Sequence, residues 1–195
     1  FLGLREKSKK TEIVGAQLFV RPNTLLNIVP DEHEIPFKVV PDKILVNGAG
    51  YRFDSDRIHV DIGPSLRYKY LFDHKIKNKE FILVVMPYWD HITLHILDMI
   101  RKVDWPTPVV IKFHPTVNWK NFKIKIPENF SVSNKNLSSL LPKASITIGH
   151  STGALVEATA LGIPAIDIQY TDNFSHYYMP EIGKEILWSE AKNVK

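Results

Sequence analysis

The hydrophobic pattern of the chain changes near residue 80. From there, short continuous apolar runs alternate with segments whose apolar residues recur every three or four positions. Phe81 to Met86 is almost wholly apolar, the pattern of a strand covered on both faces. His91 to Val103 follows, with Ile92, His95, Ile96, Met99, Ile100 and Val103 on one helical face. Thr107 to Phe113 is the next buried strand, and Phe122 to Ile126 with Phe130 to Val132 predicts a third strand region. Lys135 to Leu141, apolar at Leu137, Leu140 and Leu141, predicts a short helix that Pro142 ends. Glu181 to Leu187 predicts a last helix or an edge strand.

The most informative stretch lies between residues 144 and 170. Ala144 to Ile148 is short and β-branched, a buried strand. Gly149 to Gly153 is small and polar, a tight turn. Gly153 to Leu161 carries Ala, Leu and Glu at helical spacing, and Gly162 with Pro164 ends it. Pro164 to Ile168 opens another apolar run. Strand, turn, helix, strand is one parallel βαβ unit. Its repetition after residue 80 predicts an α/β fold, a parallel doubly wound sheet with helices on both faces. Ligands of such sheets gather outside the strand C-termini near the switch point, which here selects the loops after Phe113 and after Ile148.

Before residue 80 the pattern is weaker. Phe1 to Thr11 reads as a frayed helix end or exposed arm, and Glu12 to Val20 as a strand around Gly15. Pro22, Pro30, Pro36 and Pro41 prevent a continuous helix and predict an irregular connection. Lys43 to Asn47 and Arg57 to Ile62 are short strands closed by glycine-containing turns. Tyr51 to Asp56 reads as a short helix or turn, and Leu66 to Phe72 as one or two helical turns. A boundary is expected near residue 40, with 1–40 a remnant of a preceding domain and its connection, and 41–195 the layered domain. The chain opens with Phe1 rather than Met, which reads as a piece of something longer.

Composition narrows the chemistry. The absence of cysteine among 195 residues excludes disulfides, thiol catalysis and cysteine zinc sites, and fits a reducing compartment. No apolar run approaches the length that spans a bilayer. A net charge of +4 is modest and the lysines scatter; a nucleic-acid stripe would need them on one face, and a mildly basic surface also suits phosphorylated small molecules or an anionic membrane surface.

The candidate chemistry concentrates at two strand exits. Ser151 and Thr152 stand at a helix start, where free N–H groups and the positive dipole end attract an anion; a plain N-cap is the alternative. The spacing matches neither the dinucleotide fingerprint nor the lysine-containing phosphate loop. His114, held by Pro115, and Lys112 two residues earlier share one strand face and suit a phosphate. His150 either reaches the same anion or packs under the turn. Glu157 offers two oxygens to a ribose diol, unless it faces solvent. His91 and His95 are one helical turn apart, but Ile92 stands where the zinc-protease pattern needs glutamate, so core-edge histidines are the expectation. Tyr170, Tyr177 and Tyr178 are candidates for an acceptor or base pocket. Gly149-His150-Ser151-Thr152-Gly153 also matches the Gly-x-Ser-x-Gly nucleophile elbow. Asp167 or Asp172 and then His176 follow in the chain order of a triad, yet Asp172 and His176 are too close to come from separate strand-end loops. Hydrolase chemistry is therefore the minor reading.

Lys112-Phe113-His114-Pro115 and the run from Gly149 through Gly162 to Pro164 resemble the C-terminal, donor-binding half of bacterial glycosyltransferases with two Rossmann-like domains (GT-B type). The capsule and surface-polysaccharide group is the most similar. Pro41 to Gly48 and Gly63 to Tyr68 resemble the segment joining the two domains in such proteins. The resemblance implies a cytoplasmic enzyme, peripheral at the inner face of the plasma membrane, that moves a sugar from a CMP-, CDP-, UDP- or dTDP-linked donor to a glycan or lipid-linked acceptor. It implies no nucleic-acid partner, no metal and no cofactor. It assigns the donor phosphate to His114, as the catalytic group, with Lys112, His150, Ser151 and Thr152. Ribose falls to Glu157 and the base to residues 130–133, including Ser131 and Ser133. The general base would lie in the N-terminal domain, of which Glu12 to Phe37 is the tail. A polyol-phosphate transferase, a sugar-nucleotide epimerase or a non-catalytic nucleotide-binding module are the alternatives on the same scaffold.

Overall fold

The computed structural model describes residues 2–8, 10–19, 29–73, 78–122, 125–170 and 188–191. The chain divides into two compact units, Phe1–Lys69 and Tyr70–Lys195.

In the first unit, helix α1 (Leu2–Lys7) precedes three short strands, β1 (Val14–Ala16), β2 (Lys43–Val46) and β3 (His59–Ile62). They form a parallel sheet in that order. Val40, Ile44, Val46, Tyr51, Ile58 and Val60 supply its core. The expected boundary near residue 40 falls inside this unit, because the β1 backbone bonds to β2 in the register Val14 to Lys43. Asp42 ties the two ends together. Its carboxylate accepts the Ile13 N–H at 2.8 Å and pairs with Arg5 at 2.9 Å. The Ile13 N–H and then the Arg5 guanidinium hold the Asp42 carboxyl below the usual carboxylate range.

The second unit opens in α2 (Lys69–Asp73) and contains six strands: β4 (Phe81–Val85), β5 (Val109–Lys112), β6 (Phe130–Val132), β7 (Ala144–Gly149), β8 (Ala165–Ile168) and β9 (Trp188–Ala191). All pair in parallel, in the order β6-β5-β4-β7-β8-β9. Helix α3 (Asp90–Ile100) follows β4, α4 (Leu137–Leu140) follows β6, and α5 (Gly153–Ala160) follows β7. This is a Rossmann-like α/β sheet with helices on both faces. The period-2 rule sorts its core. Ile82, Val84 and Met86 pack with Ile92, Ile96 and Ile100 of α3. Phe81, Leu83 and Val85 pack with Ala154 and Ala158 of α5 and Leu140 of α4 on the other face. Each buried Val, Leu, Ile, Met or Phe among them contributes about 1.5–3 kcal/mol, and the alanines less.

Two expectations need correction. Phe122 to Ile126 is not a strand over its described residues. Trp119–Phe122 forms a 3-10 turn, residues 123 and 124 lie outside the described residues, and 125–127 join no sheet. Phe122 and Ile126 instead lie on the α3-side core, Phe122 against Phe113, so burial is satisfied without a ladder. The second correction concerns the switch point. The chain runs outward through β4, β5 and β6, then returns to the other side of β4 with β7. The order reverses between β4 and β7, so the crevice rule selects the loops after Val85 and Gly149. The loop after β5 lies one strand further out. Glu181 to Leu187 lies outside the described residues.

Candidate functional site

At the end of β7, Gly149 faces Val85 of β4 in register. A Cβ there would meet the Val85 carbonyl oxygen at 2.9 Å and Thr152 Cγ2 at 3.0 Å, so glycine lets the two strands meet at the switch point. Gly149→Ala is expected to cost about 1–3 kcal/mol, as overpacking does, read as a lower urea midpoint at unchanged slope.

The next three residues divide their tasks. Ser151 has a left-handed φ of 43° and its N–H donates to Asp167 Oδ1 at 3.2 Å. Asp167 is buried at the end of β8, and its Oδ2 accepts from Gln169 Nε2 at 3.0 Å. His150 is 2% exposed, with Nδ1 2.6 Å from the Ile168 carbonyl and 3.8 Å from Asp167 Oδ1. A carbonyl can only accept, so Nδ1 carries the proton. Of its two expected positions, His150 takes the one beneath the turn. Ser151 is buried with it, which leaves both little surface for an anion. Their placement makes them builders of the turn. Thr152 is half-buried and is the N-cap of α5; its Oγ1 accepts the Ala154 N–H at 3.4 Å, long for such a bond. The left-handed φ yields a paired expectation. Ser151→Gly should leave stability within about 1 kcal/mol, whereas Ser151→Val should lower it by about 2 kcal/mol or more, because a β-branched residue resists that backbone; thermal unfolding of the two variants checks it.

On the other side of β4, His114 is half-buried beyond β5. Its Nδ1 lies 2.7 Å from Thr116 Oγ1 and 3.4 Å from the Thr116 N–H. An amide N–H can only donate, so Nδ1 accepts and Nε2 bears the hydrogen of the neutral ring, ready to donate to an oxyanion. Lys112 is occupied differently from its neighbour. Its Nζ donates to the Lys135 carbonyl at 2.8 Å, and burial pushes its pKa down. The Ser133 N–H donates to the Ile111 carbonyl at 2.9 Å and its Oγ accepts the Lys135 N–H at 3.2 Å. Lys112 and Ser133 therefore pin the loop after β6, while Ser131 is exposed on β6.

Glu157 does not face solvent. It is buried on α5 and accepts the Tyr70 hydroxyl of α2. Any ribose diol at this carboxylate would share it with that phenol.

β5 and β7 are both neighbours of β4, so at about 4.8 Å per strand their exits stand about 10 Å apart. One phosphate does not span that distance between backbones; a diphosphate or a nucleotide does. Sequence reasoning passed over what lies between, Pro87-Tyr88-Trp89-Asp90 at the β4 exit. Tyr88 stacks obliquely on Trp89, ring centroids 3.9 Å apart, and meets the His114 ring edge-on at 5.9 Å. The signal available was two aromatics directly after the most apolar strand.

No protein-family model matches the chain, and no curated protein matches its sequence. Among solved structures, MurG of Acinetobacter baumannii is similar over 97% of this chain and 55% of its own, with 9% identity and a TM-score of 0.49. KpsC of Thermosulfurimonas dismutans, described as a beta Kdo 2,7 transferase, is similar over 94% of this chain and 84% of its own, with 12% identity and a TM-score of 0.42. The chain thus spans about half the length of that MurG. The fold assignment rests on the strand order and crossovers above and needs neither neighbour.

A positive φ at Ser151 is what a nucleophile elbow uses, but an elbow serine presents its Oγ to substrate, and Ser151 is 6% exposed. Asp172, His176, Tyr177 and Tyr178 lie outside the described residues. His91 and His95 both meet the Tyr170 ring edge-on, at 5.6 and 5.0 Å, on the first turns of α3. Among the described residues no helix is long and apolar enough to cross a membrane.

Proposed function

We propose that the second unit binds the nucleotide end of a nucleotide-sugar and serves as the donor-binding domain of a glycosyltransferase acting in surface-polysaccharide synthesis. One observation carries the reading: the Gly149–Thr152 turn aims the start of α5 at the switch-point crevice, with the Nε2 edge of His114 one strand away on the same rim. The diphosphate lies across the β4 exit, between the His114 imidazole and the first N–H groups and Thr152 hydroxyl of α5. Charge that develops on the departing phosphate oxygen is met by fixed donors, which lowers the barrier for loss of the leaving group. Lys112 and Ser133 shape the loop for the base, and His150, Ser151 and Asp167 hold the turn. Glu157 takes the ribose when Tyr70 releases it. The acceptor is a glycan or a lipid-linked sugar at the inner membrane face, and the general base belongs to an N-terminal domain.

Calorimetric titration with CMP, CDP, UDP and dTDP tests this. Saturable binding of at least one nucleotide is expected, tighter for the diphosphates because they span the two sides. Silence from all four would overturn it. The positive φ of Ser151 favours one other reading, a serine hydrolase; turnover of a model ester that Ser151→Ala abolishes would establish that reading instead.

A further inference from the structure

We infer that Tyr88, braced by Trp89 and flanked by His114, is a stacking platform for the pyranose ring of a carbohydrate. Among the described aromatics of this unit, Phe113 stacks on Trp119 and Trp105 donates its indole N–H to the Ile100 carbonyl. Phe72 on α2 and Tyr88 at the β4 exit are exposed, Tyr88 with 54% of its surface open. Trp89 fixes it from behind, since Trp89 is itself half-buried against the α3-side core. A rigid exposed ring loses little conformational freedom when a ligand covers it, which is why such rings serve as binding surfaces.

The position selects the ligand. The β4 exit is one wall of the switch-point crevice, on the α3 side, and the start of α5 is the opposite wall. The α5 wall offers N–H groups to an anion; the Tyr88 wall offers a π-face. A pyranose carries axial C–H groups on one face and hydroxyls around its rim. The C–H face suits the ring, while the Nε2–H of His114 at its edge belongs to the diphosphate in the proposed function. A nucleobase would stack equally well by chemistry. In the proposed function, however, the base belongs beyond β6, two strands away from Tyr88.

The sugar is either the one carried on the donor or one belonging to the acceptor, and the donor case rests on the proposed function. Two titrations of the full chain distinguish them. The first uses methyl glycosides of glucose, galactose, mannose and N-acetylglucosamine, followed by saturation-transfer NMR, and needs no nucleotide site. The second compares UDP with UDP-glucose and UDP-N-acetylglucosamine, and CMP with CMP-sialic acid, by calorimetry. Contact with a glycoside in the first marks an acceptor ring. Tighter binding of a nucleotide-sugar than of its nucleotide in the second marks a donor ring. In whichever holds, Tyr88→Leu should weaken the sugar-dependent part about 5- to 10-fold, and Tyr88→Phe should keep it. UDP and CMP affinities should stay within about twofold in both variants. Glycoside contact without nucleotide binding would leave the platform standing and remove the donor reading. Absence of both glycoside contact and any sugar-dependent part of nucleotide-sugar binding, or a sugar-dependent part that Tyr88→Leu leaves intact, would overturn the platform. Equal weakening of UDP and UDP-sugars by Tyr88→Leu would assign the ring to the base and also overturn it. A Tyr88→Leu chain that fails to fold would show the ring to be structural and would overturn the platform as well.

Discussion

Asp167→Ala is expected to lower stability by about 3 kcal/mol and to abolish nucleotide binding together with it. The carboxylate is buried at the end of β8 and receives the Ser151 N–H on one oxygen and the Gln169 amide on the other. Alanine leaves both donors without that acceptor; the Ser151 N–H is buried, and a buried donor left so costs about 1–3 kcal/mol, while the Gln169 amide is half-buried and costs less. The loss is larger than for an ordinary loop contact because Ser151 adopts a left-handed φ, which an L-residue holds only under constraint. Once its N–H is released, the turn relaxes and the first N–H groups of α5 lose their aim. Asp167→Asn retains an acceptor oxygen and should lose much less. Urea unfolding of the two variants, with calorimetry on whichever remains folded, checks this. Equal stability of Asp167→Ala and wild type would mean that the turn is held by its own sequence.

His114→Ala is expected to do the reverse, weakening nucleotide binding about 10- to 100-fold while leaving the melting temperature nearly unchanged. The ring is half-buried, and its hydrogen bonds stay within its own loop, to Thr116. Little folding energy therefore depends on it. A hydrogen bond to a charged phosphate, by contrast, is worth about 1.5–3 kcal/mol. His114→Gln, which can still donate, should recover part of the affinity. A large fall in melting temperature with unchanged affinity would assign the imidazole to the scaffold of the β5 exit.

Much of this was legible in the chain. The run from Phe81 to Met86 read as a covered strand and the period of His91 to Val103 as an amphipathic helix, and the structure has both, with the helix ending at Ile100. Gly149 to Thr152 announced a turn that approaches something closely, and at Gly149 what it approaches is the Val85 carbonyl. The differences between expectation and structure have physical causes. Phe122 and Ile126 are apolar because they lie on a core, and an apolar residue does not reveal whether its backbone also pairs. His150 and Ser151 are polar because they build a turn, and polar residues at a strand exit look the same whether they hold a ligand or one another. Glu157 was placed on a mostly covered helix, but nothing near it in sequence could disclose Tyr70, 87 residues away.

By itself, the sequence determined most of the local elements and their polarity: that Phe81 to Met86 and Ala144 to Ile148 are buried strands, where α5 begins, and which positions of α3 are apolar. Those properties depend on periodicity and on turn chemistry over a few residues. Only the tertiary structure decided that β4 lies between β5 and β7, which moves the crevice one strand over and brings Tyr88 beside His114. Strand order is a choice among backbone ladders that look alike to any single strand. It is made by how the helices cover the two faces, and no short stretch of residues encodes it.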